Sequence, residues 1–277
     1  MVLTRSRRDD LPFRQELWDG RTVGGWASLL SDALVINLAG ELVDRRPSRT
    51  NIDLLRRSRV EPTAALVAAS QTVDVPPRLW LQMSTLAIYG DAGEAVIAED
   101  YPPAAGPPQM AGVARAWEAA ANGAATQRLV LLRTGVVLEP GTPAFQRLRT
   151  LTRLGLGGRI GGGQQWVSWL HVEDFLCAVH FVCERDDLSG PVHLTAPEPV
   201  RNEEMMAELR RAFRRPWSPP TPRIAVRIGA ALMRTDPALA LTGRRCVPER
   251  LQSAGFNFTH SRFAEAIDDL AGSGDRR

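Results

Sequence analysis

Lysine is absent from this sequence, so all 34 of its basic residues are arginine. Its absence excludes every mechanism that depends on a lysine, including the lysine that lowers the pKa of a neighbouring catalytic tyrosine. Arginine-rich stretches occur at 56–59 and 210–215, but acidic residues or amphipathic helix patterns accompany them, and aromatic platforms do not. With a net charge of only +3, we expect these stretches to face solvent and predict no nucleic-acid partner.

Cysteine and long apolar runs are also scarce. Cys177, Cys183 and Cys246 form an odd set without C-x-x-C spacing, which argues against a disulfide framework and a zinc site. We predict that they are small buried hydrophobic residues. The sequence has no run of 18 apolar residues, and its N-terminus lacks the apolar core of a signal peptide. We therefore expect a soluble, cytoplasmic protein without membrane contact.

Apolar runs alternate with helical patterns over the first two thirds of the sequence. Continuous apolar runs are typical of parallel strands that are covered on both faces. The predicted strands are 33–40, 78–90, 128–138 and 190–196, and the predicted helices between them are 52–73 (broken near Pro62), 111–124 and 172–187. This order predicts an α/β fold with a Rossmann-like, doubly wound parallel sheet.

The character of the sequence changes after residue 197. A helical pattern at 201–215 is followed by a proline-rich connector at 216–223. We predict a Rossmann-like dinucleotide-binding domain at 1–196 and a small, mostly helical substrate or cap domain at 197–277. Residues 139–165 are expected to join the substrate side, at the carboxyl ends of the strands where open α/β sheets bind ligands.

The glycines Gly155, Gly158 and Gly161 have the G-x-x-G-x-x-G spacing of a phosphate-binding turn. Such a turn needs a strand before it and a helix immediately after it. Here a helical pattern comes before the glycines and the apolar WVSWLH comes after them. We therefore predict a flexible substrate-side loop and reject a phosphate cradle.

A metal cluster or a base is one interpretation of His171, which Glu173 and Asp174 follow. The simpler interpretation is that His171 closes a strand and that Asp174 or its neighbours begin the next helix. We prefer the simpler one, and no metal ligands are predicted.

Seven separated segments resemble, in order and spacing, one known family. They are VINLAGELVDRR, SRVEPTAAL, RAWEAA, LLRTGVVL, GLGGRIGGGQQWVSWLHVEDF, LSGPVHLTAPEPVRNEEM and VPERLQSAGF. The resemblance is to epimerase-family proteins among the atypical extended short-chain dehydrogenases/reductases, and it runs from about residue 17 to 270. It implies an NADP(H)-binding Rossmann domain and a short C-terminal domain of unassigned function.

The resemblance also implies positions for the site residues. Those expected to bind the cofactor are Arg5 at the 2′-phosphate, Leu38, Ala39 and Gly40 on the adenosine and pyrophosphate side, Ser84 at the nicotinamide, and Arg133, Thr134 and Gly135 beneath its carboxamide. Thr85 stands at the position of the catalytic hydroxyl. Tyr89 is predicted either to donate a proton or stack on a ligand, or to have a structural role. The predicted substrate-side residues are Gln165, Trp166 and Ser168.

The sequence departs from the family pattern in two features. The opening strand, glycine-rich turn and helix are not found, so we expect that the sequence starts downstream of the true start or belongs to a truncated product without cofactor. The strand at 33–40 would then carry an unpaired edge, which needs another chain or a rearranged sheet to cover it. The Tyr-x-x-x-Lys pair is also missing, since Val113 and Trp117 occupy its places.

The leading hypothesis is an NADP(H)-dependent oxidoreductase or epimerase-like enzyme that acts on an unidentified small molecule. One alternative is a non-catalytic dinucleotide-binding sensor or interaction protein. The other is a chain that binds no cofactor.

Overall fold

The computed structural model describes residues 1–273. Its strands are β1 (Val2–Thr4), β2 (Gln15–Leu17), β3 (Leu34–Asn37), β4 (Leu79–Thr85), β5 (Val96–Ile97), β6 (Leu129–Thr134), β7 (Val136–Leu138), β8 (Trp166–Val167), β9 (Trp169–His171), β10 (Gly190–Leu194), β11 (Val200–Arg201) and β12 (Arg245–Cys246). Its α-helices are α1 (Arg49–Ser70), α2 (Val113–Ala121), α3 (Pro143–Arg153), α4 (Val172–Glu184), α5 (Asn202–Ala212), α6 (Arg223–Leu232), α7 (Ala238–Leu241), α8 (Glu249–Ser253) and α9 (Phe263–Ser273).

The main sheet is parallel and has the strand order β10-β6-β4-β3. This confirms the predicted α/β fold with helices between parallel strands. The segment predicted as one strand at 128–138 divides at Gly135 into β6 and β7, and β7 pairs with β9 instead. A Cβ at Gly135 would lie 2.6 Å from the carbonyl oxygen of Ser168, so the chain can pass so close to β9 only with a glycine there.

Among residues 1–273, strand β3 lies at an edge of the main sheet and pairs with β4 alone. Strands β1 and β2 pair with each other in a separate two-stranded sheet. The side chains of β3 alternate: Val35 and Asn37 are buried, whereas Leu34 and Ile36 are 42% and 44% exposed. The free edge predicted for the segment 33–40 is therefore present, together with an uncovered apolar face.

Helix α1 runs through Pro62 without interruption, so the predicted break there was wrong. A proline inside a helix removes one backbone hydrogen bond and crowds the preceding turn. Packing outweighs this cost, because Leu55 and Ala69 on the same helix are fully buried. The helix also has a well-formed start, where the Ser48 hydroxyl accepts a hydrogen bond from the backbone N–H of Asn51 at 3.2 Å.

The largest hydrophobic core joins both predicted domains. Side chains of the main sheet, such as Leu132 and Leu194, belong to the same buried cluster as Leu209, Leu251 and Ile267 from the C-terminal helices. Helices α5, α8 and α9 therefore share one core with the main sheet. The last four residues of the predicted second domain lie outside the described residues. Among residues 1–273, no helix is long and apolar enough to span a membrane.

Candidate functional site

Three polar side chains form a row across the carboxyl ends of the central strands. Ser84 on β4 is in register with Arg133 on β6, and Arg133 is in register with His193 on β10. Residues in register on neighbouring strands point to the same face of a sheet. All three are buried, so their polar groups need partners within the protein.

Glu118 of α2 provides the partner for the middle of this row. Its two carboxylate oxygens accept hydrogen bonds from Nε and Nη2 of Arg133, both at 2.9 Å, and Oε1 also accepts one from Ser84 Oγ at 2.5 Å. Burial alone would lower the pKa of Arg133, but the hydrogen bonds and charge of Glu118 outweigh it and raise this pKa. The bidentate pair therefore holds a charged guanidinium under the ends of the strands.

Tyr89 and His193 complete the network. The Tyr89 hydroxyl lies 2.6 Å from His193 Nε2 and accepts a hydrogen bond from Arg133 Nη1, also at 2.6 Å. His193 Nδ1 lies 2.9 Å from the carbonyl oxygen of Val247. Since that oxygen can only accept, Nδ1 carries the proton and Nε2 accepts from Tyr89.

The titration of both groups follows from their burial. Burial raises the pKa of Tyr89 to about 12, and it lowers the pKa of His193 to about 4. Near neutral pH the phenol therefore keeps its proton and the imidazole is neutral. A proton-donating role for Tyr89 stays a prediction, and it requires the Tyr89–His193 hydrogen bond to open.

Thr85 and Thr134 form the next row, one residue further along β4 and β6. Their side chains point to the face opposite Ser84 and Arg133, because successive residues of a strand alternate. The Thr85 hydroxyl accepts a hydrogen bond from the N–H of Ala87 at 3.1 Å and retains its own proton to donate. The structure thus brings the predicted catalytic hydroxyl next to one predicted nicotinamide residue, Thr134, and separates it from another, Ser84.

The turn after β3 contains the predicted residues Leu38, Ala39 and Gly40. The Asn37 side chain shapes this turn, since its Oδ1 accepts a hydrogen bond from the N–H of Ala39 at 3.1 Å. A Cβ at Gly40 would lie 3.0 Å from Cζ of Arg59. The absence of a side chain at Gly40 therefore allows the Arg59 guanidinium to approach the backbone closely.

Arg59 is a buried cation beside this turn. It stacks over the Trp117 ring at 5.0 Å and donates hydrogen bonds to the carbonyl oxygens of Glu41 and Leu55. Burial lowers the pKa of Arg59, and the charge of Glu41 opposes that shift. The turn and α2 are thus joined through a positive charge.

Unpaired polar atoms mark the same region. Arg45 Nε, Gln109 Oε1 and Trp117 Nε1 are buried without a hydrogen-bond partner among the described residues. Gln109 Nε2 donates to the carbonyl oxygen of Arg45 at 2.8 Å, so the segment before α2 contacts the turn after β3. Buried polar atoms without partners are where a polar ligand gains hydrogen bonds. Arg45, Gln109 and Trp117 therefore offer unpaired polar atoms to a ligand, whereas residues 1–273 contain no G-x-x-G-x-x-G turn between a strand and an α-helix to cradle a pyrophosphate.

The remaining predicted residues lie on the segment after β1 and around β8. Arg5 is exposed, and it follows β1, which belongs to the separate two-stranded sheet. Trp166 lies between the guanidinium groups of Arg201 and Arg245, at 4.4 and 4.6 Å from its ring. Ser168 Oγ donates to the carbonyl oxygen of Arg244 and accepts from the N–H of Cys246.

Gln165 has a similar contact with the C-terminal region. Its side chain donates to the carbonyl oxygen of Ala240 at 3.0 Å. The predicted substrate-side residues thus attach the C-terminal segments to β8 and β9, and a role in binding substrate stays a prediction.

The glycine run forms backbone hydrogen bonds with the proline-rich connector. The N–H of Gly161 donates to the carbonyl oxygen of Thr221, and the N–H of Thr221 donates to that of Arg159. Gly158 is buried against the carbonyl oxygen of Pro219, where a Cβ would overlap it. These contacts attach the glycine run to the proline-rich connector. The run lies between α3 and β8, so no helix starts from it.

Glu118 and His193 are the residues that the sequence prediction missed. Glu118 is the only acidic residue in α2, and a lone acid in an alanine-rich helix is a weak indication of a buried partner. His193 showed no partner pattern, because its partners Tyr89 and Val247 are distant in sequence. The register of β6 and β10 places His193 beside Arg133.

Family comparisons agree with this architecture. The profile of the NAD dependent epimerase/dehydratase family matches residues 26–194, and a domain of unknown function, DUF1731, matches residues 221–270. An epimerase family protein of Mycobacterium bovis is 38% identical over 236 residues, which cover 84% of this chain and 76% of that protein. One from Staphylococcus epidermidis is 28% identical over 249 residues, covering 89% and 82%.

Solved structures show the same likeness. The human epimerase family protein SDR39U1 (isoform 2), crystallised with NADPH, superimposes with a TM-score of 0.85 at 28% identity, over 98% of this chain and 90% of that one. A nucleoside-diphosphate sugar epimerase from Corynebacterium glutamicum gives a TM-score of 0.75 at 27% identity, over 98% and 52%. The chain therefore belongs to the NAD dependent epimerase/dehydratase family, with a DUF1731 domain at its C-terminal end.

Proposed function

We propose that this protein is an NADP(H)-dependent oxidoreductase or epimerase-like enzyme that acts on a small molecule. The observation that carries the proposal is the set of unpaired buried atoms on Arg45, Gln109 and Trp117, which lie in the loop after β3, in the segment before α2 and in α2. The human relative crystallised with NADPH supports the choice of cofactor. When bound, the nicotinamide would supply hydride transfer.

The chain's own residues would orient the cofactor and supply a hydrogen bond. Thr85 and Thr134 present neighbouring hydroxyls at the ends of β4 and β6. The Thr85 hydroxyl can donate its proton to an oxygen of the substrate or the nicotinamide, since it already accepts from Ala87. The Glu118–Arg133 pair acts beneath them by holding β4, β6 and α2 together.

A dinucleotide-binding sensor is the second candidate. Val113 and Trp117 are buried at the places of the catalytic tyrosine and lysine, and Tyr89 is held neutral by burial. Tyr89 therefore does not stand ready as a phenolate. This arrangement favours binding without turnover.

Titration of the purified protein with NADPH, followed by nucleotide fluorescence, tests the proposal. We expect a micromolar Kd, and Thr134→Val should weaken binding by about three- to tenfold, the value of one hydrogen bond. The matched control is Thr150→Val, at an exposed position of α3. This variant should bind NADPH as the wild type does. Binding followed by turnover with a panel of carbonyl compounds supports the enzyme, and binding without turnover supports the sensor. No binding at all would contradict both.

A further inference from the structure

A second polar cluster lies where β9 meets α4, against the segment that leads into α9. His171 ends β9, and its Nδ1 accepts a hydrogen bond from the N–H of Glu173 at 3.2 Å, which caps α4. His260 precedes α9, and its ring stacks on that of His171 with 3.9 Å between the ring centroids. Asp269 extends from α9 toward the same point. The cluster therefore joins segments about 90 residues apart.

Each histidine of this cluster has a buried nitrogen without a hydrogen-bond partner. His171 is 3% exposed and His260 is 8% exposed. Among the described residues, neither Nε2 of His171 nor Nδ1 of His260 forms a hydrogen bond. Burying an unpaired polar atom is costly, and the unpaired Nε2 of His171 points to an additional species that binds there.

Carboxylates face both rings. His171 Nε2 lies 3.4 Å from Oδ2 of Asp269, and His260 Nδ1 lies 3.6 Å from Oδ2 of Asp174. Asp174 is fully buried and is fixed by the N–H groups of Thr259 and His260. Two imidazoles beside two carboxylates form a pocket whose acidic groups attract a cation.

We propose that His171, His260 and Asp269 bind a divalent transition-metal ion of the Zn²⁺ type. Each offers one ligand atom, and these atoms lie within 4.8 Å of one another. Zinc bonds to histidine nitrogen and carboxylate oxygen of about 2.0–2.2 Å place tetrahedral ligands about 3.4 Å apart, which matches the His171–Asp269 distance of 3.4 Å. Three protein ligands leave a fourth position for water.

Asp174 supplies the orienting carboxylate that histidine ligands usually have. A proton on Nδ1 of His260 faces Asp174, which leaves the lone pair of Nε2 for the ion. On His171 the ion takes the lone pair of Nε2, so the ring proton moves to Nδ1 and the hydrogen bond from Glu173 is given up. Both rings must also turn out of their stack. The ion then fastens α9 to the start of α4.

Metal analysis of the full-length protein tests this proposal. After treatment with a chelator and dialysis against Zn²⁺, we expect one equivalent of zinc and a raised Tm. Asp269→Asn removes a ligand on an exposed helix face and should weaken zinc binding by at least about tenfold. His260→Asn should abolish both the binding and the rise in Tm. With Co²⁺ as the probe, the wild type should show the intense visible absorption of a tetrahedral site.

His180→Asn is the matched control, since His180 is an exposed histidine beside Glu184 and outside the cluster. It should bind zinc as the wild type does. The proposal is wrong if the wild type binds less than one equivalent at saturating Zn²⁺, or if Asp269→Asn binds as tightly as the wild type. It is also wrong if His180→Asn is the variant that loses the ion. All these measurements are independent of the cofactor.

Discussion

Arg133 and Glu118 form a bidentate ion pair, with both N–O distances at 2.9 Å, beneath the carboxyl ends of β4 and β6. The side chains are 5% and 10% exposed, so water screens this pair little. Ser84 and Tyr89 bond to the same two residues. The pair is thus the centre of the polar network that supports the candidate site.

Glu118→Ala should lower the free energy of unfolding by about 3–5 kcal/mol, because it leaves the Arg133 charge buried without a partner. Urea denaturation at pH 7 measures this change. Asp53→Asn, which removes the exposed i,i+4 pair with Arg57, is the matched control and should cost less than about 0.5 kcal/mol. Equal losses in the two variants would show that the buried pair does not hold the strands.

The stability of the protein should fall on acidification because of His193. Its pKa is about 4 in the folded protein and 6.5 when unperturbed, so between these values the unfolded chain binds more protons. Stability is therefore fully present above pH 6.5 and is lost as the pH falls to 4, by about 3 kcal/mol. Denaturation curves from pH 4 to 7.5 measure this loss. His193→Gln should flatten the profile, and an unchanged slope in this variant would contradict the assignment.

Gly158→Ala should loosen the contact between the glycine run and the connector. A Cβ at Gly158 would overlap the carbonyl oxygen of Pro219, and relieving such overlap costs about 1–3 kcal/mol. A Cβ at Gly162 would lie 3.8 Å from Cγ of Gln164, an ordinary contact, and Gly162 has no positive φ, so Gly162→Ala is the control and should change stability little. Thermal unfolding compares the two. A Tm for Gly158→Ala at or above that of Gly162→Ala would argue against the packing.

The three cysteines should react with a thiol reagent at different rates. Cys177 is exposed, which corrects the prediction that it is buried, whereas Cys246 is buried and burial raises its pKa to about 12. Because the thiolate is the reactive form, Cys177 should react first and Cys246 only on unfolding. Mass spectrometry of labelled peptides over time measures the order. Rapid labelling of Cys246 in the native protein would show that its region opens readily.

Much of the site could be predicted from the sequence because it depends on local patterns. Ser84 and Thr85 follow a continuous apolar run, and such a run ends at the carboxyl edge of a parallel sheet where ligands bind. The resemblance placed Arg133, Thr134 and Gly135 at the same edge. The sequence alone could not predict which face of the sheet each side chain occupies, because a shift of one residue in the strand register exchanges the two faces. Ser84 and Thr85 point to opposite faces because successive residues of a strand alternate, and the register decides which of the two faces a given neighbour.

Composition and local pattern determined the class of fold, the absence of a Tyr-x-x-x-Lys pair and the rejection of the glycine run as a phosphate turn, since each depends on residue type and near neighbours. Only the tertiary structure decided that Glu118 neutralises Arg133, that α1 continues through Pro62, and that His171 and His260 share one cluster. Those outcomes depend on burial. Where water is excluded, pairing a polar group and packing a helix face change the free energy of folding far more than local sequence preferences do.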